Sequence, residues 1–268
     1  MPAVVRRDEG ARPVGVVRAF APCGPGRHAV VSWAQRQAHR TGARTEILVD
    51  PDRPAGGRSP VDLLVRGFDL LTGWSSLVDR LGRAAAGARL LVVPQELDGL
   101  ERLVDTAYEA VAVVPPDPPR HRGPVVLALA SRTGDEAVDA AFEAAACRHA
   151  PLLALRYRDP ERAAVVTSED AAEATSEERR TWSERLAAWR FAYTTVPVDV
   201  EVTDGDPALE LVDVSGHARL LVVGRSARGR LLGSLTPSPV AAVARHARCP
   251  VLVVPPGGPP RRSWWPRT

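Results

Sequence analysis

Residues 218–256 read ARLLVVGRSARGRLLGSLTPSPVAAVARHARCPVLVVPP. Leu220 to Val223 is an apolar run of strand length, and Val251 to Val254 is another. Between them lie Gly224, Gly229 and the pair Gly233-Ser234, followed by a stretch of helical character. A buried strand that opens into glycines and then a helix can turn backbone N–H groups toward an anion, with the positive end of the helix dipole behind them. The same signature stands earlier in the chain in reduced form. Ala88 to Val93 repeats the ARLLVV of Ala218 to Val223 letter for letter, and Val113 to Pro116 repeats the VVPP of Val253 to Pro256. After the earlier copy the chain reads PQELDGLERL, with a single glycine, so a ligand loop is expected in the second copy alone.

Outward from these two copies, strand and helix signals alternate. In the first half, strands are expected at Val14–Ala21, Thr45–Val49, Val61–Val65, Arg89–Val93 and Val111–Val114. Helices are expected at His28–Arg40, Ser75–Ala86 and Leu97–Ala110. PPDPPRHRGP, Pro115 to Pro124, is stiff and proline-rich, and it is the best boundary in the chain. Beyond it come strands at Val125–Ala130, Leu152–Tyr157 and Val198–Val202. Helices there fall at Asp135–Arg148, Glu169–Tyr193 and Pro207–Gly216, and the middle one places Trp182, Leu186, Trp189 and Tyr193 on one stripe. Near-continuous Val/Leu strands bounded by helices mean parallel strands covered on both faces. The expected organisation is an α/β tandem of two Rossmann-like domains: a loose arm at 1–12, a first domain at 13–116, a Pro-rich linker at 117–124, a second domain at 125–256 and a basic, Trp-containing tail at 257–268.

Composition narrows the function. Every side-chain amine or guanidinium in the chain is Arg, with no Lys and no Asn. That removes a Walker-type phosphate lysine, a Schiff-base lysine and N-glycosylation. The net charge of +3 is small and the arginines are interleaved with Asp and Glu, which speaks against nucleic acid as the main partner. Cys23, Cys147 and Cys249 share no metal or disulfide spacing, so no metal site is expected, and Cys147 and Cys249 read as small buried side chains at helix ends. The apolar runs are too short to span a bilayer, and MPAVVRRDEGARP lacks the core of a secretory signal, so the expected setting is cytoplasmic without a membrane.

The second half, from about Gly123 to Pro256, resembles the universal stress protein family. The carriers are VVLALAS before a helix, GDP (Gly205 to Pro207) before another, LLVVG, the GS pair and HARCPVLVV. The first half resembles a degenerate member, through strand order and the ARLLVV repeat. The resemblance implies two five-stranded parallel sheets of order 3-2-1-4-5. It also implies pairing of Val111–Val114 with Val251–Val254 inside one chain, the way single-domain relatives pair between chains. It further implies an adenine nucleotide such as ATP as the cofactor, held in a G-x2-G-x9-G-S/T loop by Gly224, Gly229, Gly233 and Ser234, with Arg225 beside it. Three features depart from that pattern. Gly224 and Gly233 are nine positions apart where the pattern has thirteen, and Gly229 is out of register. The adenine-side Asp at the end of the first strand is Ala130 here. Pro237 and Pro239 lack N–H donors, so the helix is expected to begin at Ser238 with Pro239 in its first position.

Other candidates weigh less. Ser226 in GRSARG fails as a nucleophile elbow because Arg228 stands where the second Gly belongs, and no catalytic residue is expected. Arg225 and Arg228 are either phosphate contacts or surface arginines, and the Trp182/Trp189 stripe is core or inter-domain packing ahead of a stacking surface for adenine. Trp264-Trp265 in the tail is a docking motif or a disordered end. The expected function is non-enzymatic stress-response regulation with an adenine nucleotide in the second domain and an unidentified protein partner. Two alternatives are a ligand-free interaction scaffold and a slow nucleotide hydrolase using Asp135 or Asp206.

Overall fold

The computed structural model describes residues 15–21, 26–48, 77–119, 123–158, 168–225 and 238–257. Among these residues nine strands form a single sheet at its centre. The first half supplies β1 (Val16–Phe20), β2 (Arg44–Leu48), β3 (Leu90–Pro94) and β4 (Val111–Val114). The second supplies β5 (Val125–Leu129), β6 (Leu152–Arg158), β7 (Val198–Asp204), β8 (Leu220–Gly224) and β9 (Val251–Val254). The order across the sheet is β2-β1-β3-β4-β9-β8-β5-β6-β7. Every pairing is parallel except β4 with β9, which is antiparallel and sets Val111, Ala112 and Val113 opposite Val253, Leu252 and Val251.

The second half therefore has the expected order 3-2-1-4-5. The first half shows the corresponding 2-1-4-5, and the strand expected at Val61–Val65 lies outside the described residues. The two expected sheets are fused into one. All four residues of both β4 and β9 are buried, so neither strand can leave its outer N–H and C=O groups open at an apolar edge. Antiparallel pairing of two equivalent strands is what a local two-fold axis normal to the sheet produces.

Helices cover both faces. On one lie α1 (Arg27–Thr41), α4 (Asp135–Ala146) and α5 (Ser168–Arg185), whose Trp33, Phe142 and Trp182 share a core with Val17, Leu90, Leu127, Leu220 and Leu252. On the other lie α2 (Leu77–Ala85), α3 (Leu100–Thr106), α7 (Pro207–Val214) and α8 (Pro239–His246), packed on Leu91, Val93, Leu221 and Val251. Adjacent strand residues such as Leu220 and Leu221 thus feed opposite cores, as the two-residue period requires. Each such fully buried leucine contributes about 1.5–3 kcal/mol.

Some boundaries differ from expectation, for local reasons. Helix α3 is shorter than Leu97–Ala110, because Gly99 (φ 76°) delays its start and Ala107 (ψ 137°) is already extended. The long helix expected at Glu169–Tyr193 is two segments, α5 and α6 (Ala187–Ala192), with Leu186 between them. The bonds Leu186 N–Trp182 O and Arg190 N–Leu186 O carry the chain across that junction. The Trp182/Leu186/Trp189/Tyr193 stripe faces the core as packing.

Candidate functional site

In the second half, β5 and β8 are neighbours in the sheet but not in sequence, and the crevice beyond their carboxyl ends is the topological switch point where open α/β sheets hold ligands. Two expected site residues meet there. Ala130 directly follows β5 and is exposed, and Gly224 ends β8. Gly224 is not in the left-handed region. A Cβ on it would lie 3.0 Å from Ala137 Cβ and 3.9 Å from Thr133 Cγ2, so it is glycine to let β8 approach α4. Gly229, Gly233 and Ser234 lie outside the described residues, as do Ser226 and Arg228.

The floor of the crevice is built by a residue that pattern reading missed. Thr133 is buried, its Oγ1 accepts from Ala130 N at 2.7 Å, and its own N–H donates to Ala130 O at 3.0 Å. Two arginines from neighbouring elements hold this turn. Arg185 donates to Thr133 O at 2.6 Å and lies 4.7 Å from the Trp182 ring, and Arg156 reaches Ser131 Oγ at 3.4 Å while pairing with Glu178 at 2.7 Å. No local pattern marks Arg156 or Arg185, because their partners come from other strands and helices. Asp135 and Glu136 occupy the first turn of α4, so the helix end nearest Ala130 already carries carboxylates.

The far wall is α8. It begins as expected, with Ser238 as N-cap accepting from Ala241 N at 3.1 Å and Pro239 in its first turn. Ser238 Oγ also donates to Asp105 at 2.6 Å, which sets a carboxylate from the first half at the positive end of this helix. Arg225, a candidate phosphate contact, directs its guanidinium at the first half too. Its two terminal nitrogens donate to Val104 O at 3.0 Å and Ala107 O at 2.7 Å, at the carboxyl end of α3, where a cation suits the helix dipole. Gln95, seven residues after Ala88 as Arg225 is after Ala218, does the mirror-image thing. It donates to Ala244 O at 3.3 Å and Ala247 O at 2.7 Å at the end of α8. Arg245 completes the seam on Glu101 (2.8 Å), Gln95 O (2.7 Å) and Leu97 O (3.1 Å).

The candidate hydrolytic acids are engaged structurally. Asp206 caps α7, accepting from Ala208 N at 2.8 Å and Leu209 N at 3.2 Å, and Asp135 lies 3.8 Å from Arg185. Burial pushes the Cys249 thiol up to about 12 and raises Cys147 as well, so neither is a ready thiolate. Among the described residues there is no group of three or more His, Cys, Asp or Glu that could hold a metal, and no helix long and apolar enough to cross a membrane.

Comparison with known proteins agrees with this geometry. The fold resembles a universal stress protein from Archaeoglobus fulgidus (TM-score 0.59, 12% identity, 90% of this chain and 96% of that one). It equally resembles a functionally unknown protein, PA1789, from Pseudomonas aeruginosa (TM-score 0.59, 15% identity, 90% and 92%). At the sequence level it is 35% identical over 143 residues to the universal stress protein Rv2005c of Mycobacterium tuberculosis, covering 53% of this chain and 48% of the relative. It is 32% identical over 137 residues to Rv2623 of the same organism, covering 51% and 46%. The chain thus matches about half the length of these curated relatives. The sequence model of the universal stress protein family matches residues 121–255, half of the chain and the whole of the β5–β9 unit. With that match lying on a 3-2-1-4-5 sheet, the chain belongs to the universal stress protein family.

Proposed function

We propose that this protein is a non-enzymatic, cytoplasmic stress-response regulator whose second half binds an adenine nucleotide weakly, while its first half serves as a built-in partner subunit. The observation that supports the reading is the switch point between the ends of β5 and β8, at Ala130 and Gly224, together with the sequence Gly229, Gly233-Ser234 that follows Gly224 along the chain. Weak affinity follows from three features: Ala130 offers no carboxylate to an adenine, Asp135 and Glu136 sit on α4, and Asp105 meets the start of α8. A bound nucleotide would stabilise the second half by mass action and alter the surface around the crevice that a protein partner reads. The domain boundaries at 13–116, 117–124, 125–256 and 257–268 belong to this proposal.

Isothermal titration with ATP, ADP and AMP tests it. Saturable heat in the high-micromolar to millimolar range, lost in Gly224→Leu, is the expected result. No heat with any of the three at millimolar concentration overturns the nucleotide part and favours the ligand-free scaffold. The dense α3/α8 seam is the observation behind that second reading.

A further inference from the structure

Arg225 directly follows β8, and Ser238 directly precedes α8. Both are held by one turn of one helix in the other half of the molecule. Arg225 donates to Val104 O and Ala107 O, and Ser238 Oγ donates to Asp105. A helical turn rises about 5.4 Å, so the end of β8 and the start of α8 are tied to a single short stretch of the first half, at the carboxyl end of α3.

The two charges at this turn are not equally at home. Arg225 meets carbonyls at a helix carboxyl end, which favours a cation. Asp105 sits in the last turn of its own helix, where a carboxylate is disfavoured and no basic residue stands beside it. Glu101, one turn earlier, pairs with Arg245 at 2.8 Å, whereas among the described residues no arginine or histidine forms an ion pair with Asp105. What meets the Asp105 carboxylate is the amino end of α8. The Ser238 hydroxyl reaches it at 2.6 Å, the short distance of a charge-assisted bond, with the positive end of the α8 dipole behind. Those are the groups that a phosphate oxygen takes as well. A serine hydroxyl has one proton to give. Ser238 Oγ accepts from Ala241 N and donates that proton to Asp105, so a second anion obtains it only when Asp105 gives it up.

We infer that Asp105 is an affinity-determining residue for the nucleotide at the switch point, a competitor that the first half supplies. Its carboxylate holds the Ser238 proton and the amino end of α8, and a ligand phosphate binds there by displacing it. The inference rests on the nucleotide reading of the second half. Linkage makes the exchange reciprocal: bound phosphate weakens the Asp105–Ser238 contact by the same factor as that contact weakens phosphate binding, so the first half registers whether the second is loaded.

Calorimetric titration of the full chain with ATP, ADP and adenosine tests this in wild type, D105N, D105N/S238A and D98N. In D105N the amide oxygen can still accept from Ser238, so the charge is removed while the seam is kept; urea midpoints check that every variant is folded. ATP and ADP are expected to bind D105N at least about fivefold more tightly than wild type, with no gain for adenosine. The gain is expected to vanish in D105N/S238A. D98N removes an exposed carboxylate from the turn before α3 and is expected to leave ATP affinity unchanged. Equal ATP affinity in wild type and D105N overturns the competition and leaves the nucleotide reading standing. A gain of the same size for adenosine, or in D98N, assigns the effect to net charge and overturns the competition too, as does a gain that survives in D105N/S238A. Binding by D105N and not by wild type supports the competition and counts only against the weak affinity proposed for the native chain. Absence of binding by both overturns both.

Discussion

Gln95 and Arg225 follow the same hexapeptide, one in each half, and their N–H groups make the same bond, to Val114 O at 3.0 Å and Val254 O at 2.8 Å. Each side chain then crosses the seam to the carboxyl end of the other half's helix. The segments after the two residues differ. In the first half the chain reaches α3 within five residues through Gly99, whose φ of 76° makes the turn. In the second half residues 226–237 intervene before Ser238 and α8. The two halves keep the anchor that joins them and diverge in the length and composition of the segment that follows it.

The severest way to break this comparison is at the shared axis. Ala112 is fully buried opposite Leu252, so Ala112→Asp places a carboxylate in the core that the two halves share beneath α1 and α4. A loss of at least about 4 kcal/mol is expected, read as unfolding in urea or failure to accumulate as folded protein. A retained urea midpoint would mean the halves do not depend on their seam. A milder and sharper probe compares the anchors themselves. Arg225→Met removes charge-assisted bonds to two carbonyls and is expected to cost about 2 kcal/mol, against about 1 kcal/mol for Gln95→Met. If Gln95→Met proved the costlier, the charge on Arg225 would not be what strengthens its side of the seam.

The smallest effect concerns pH. Cys249 lies in the second half just before β9, fully buried, and its thiol is held up at about 12 from an ordinary 9.0, by burial first. The folded state therefore keeps a proton that the unfolded chain releases near pH 9. Stability is unaffected below that point and falls as pH rises from about 9 toward 12. Urea midpoints at pH 7.5 and 10 should drop less in Cys249→Ala than in wild type; equal drops would assign the loss to other groups, such as Tyr157, whose hydroxyl burial also pushes up to about 12.

Much of this was legible from the residues alone. Strands β3, β4, β8 and β9 announce themselves because strands covered on both faces need apolar side chains in succession, and the ARLLVV repeat reveals the doubling. The start of α8 was readable because capping by Ser238 and the fixed φ of Pro239 are local chemistry. The site was less so. Gly224 reads as a turn residue, yet its smallness serves the contact with Ala137, an approach no spacing rule encodes. Arg225 reads as a phosphate ligand, but its partners are 118 and 121 positions away. Thr133 is invisible for the opposite reason: its bonds are local to Ala130, but nothing in SRTG distinguishes a floor from a loop.

The antiparallel pairing of β4 with β9 has an evolutionary consequence. In a dimer of identical chains, any substitution near the two-fold axis is made twice, and a pair of arginines or aspartates facing each other across it must be tolerated together. Here the axis runs through one polypeptide, so each substitution is made once and the association does not weaken on dilution. Gln95 can stay neutral while its counterpart is Arg225, and Asp105 can meet Ser238 without a second copy of the same pair. A single gene thereby gains what a symmetric dimer is denied, the freedom for one subunit to specialise while the other holds it in place.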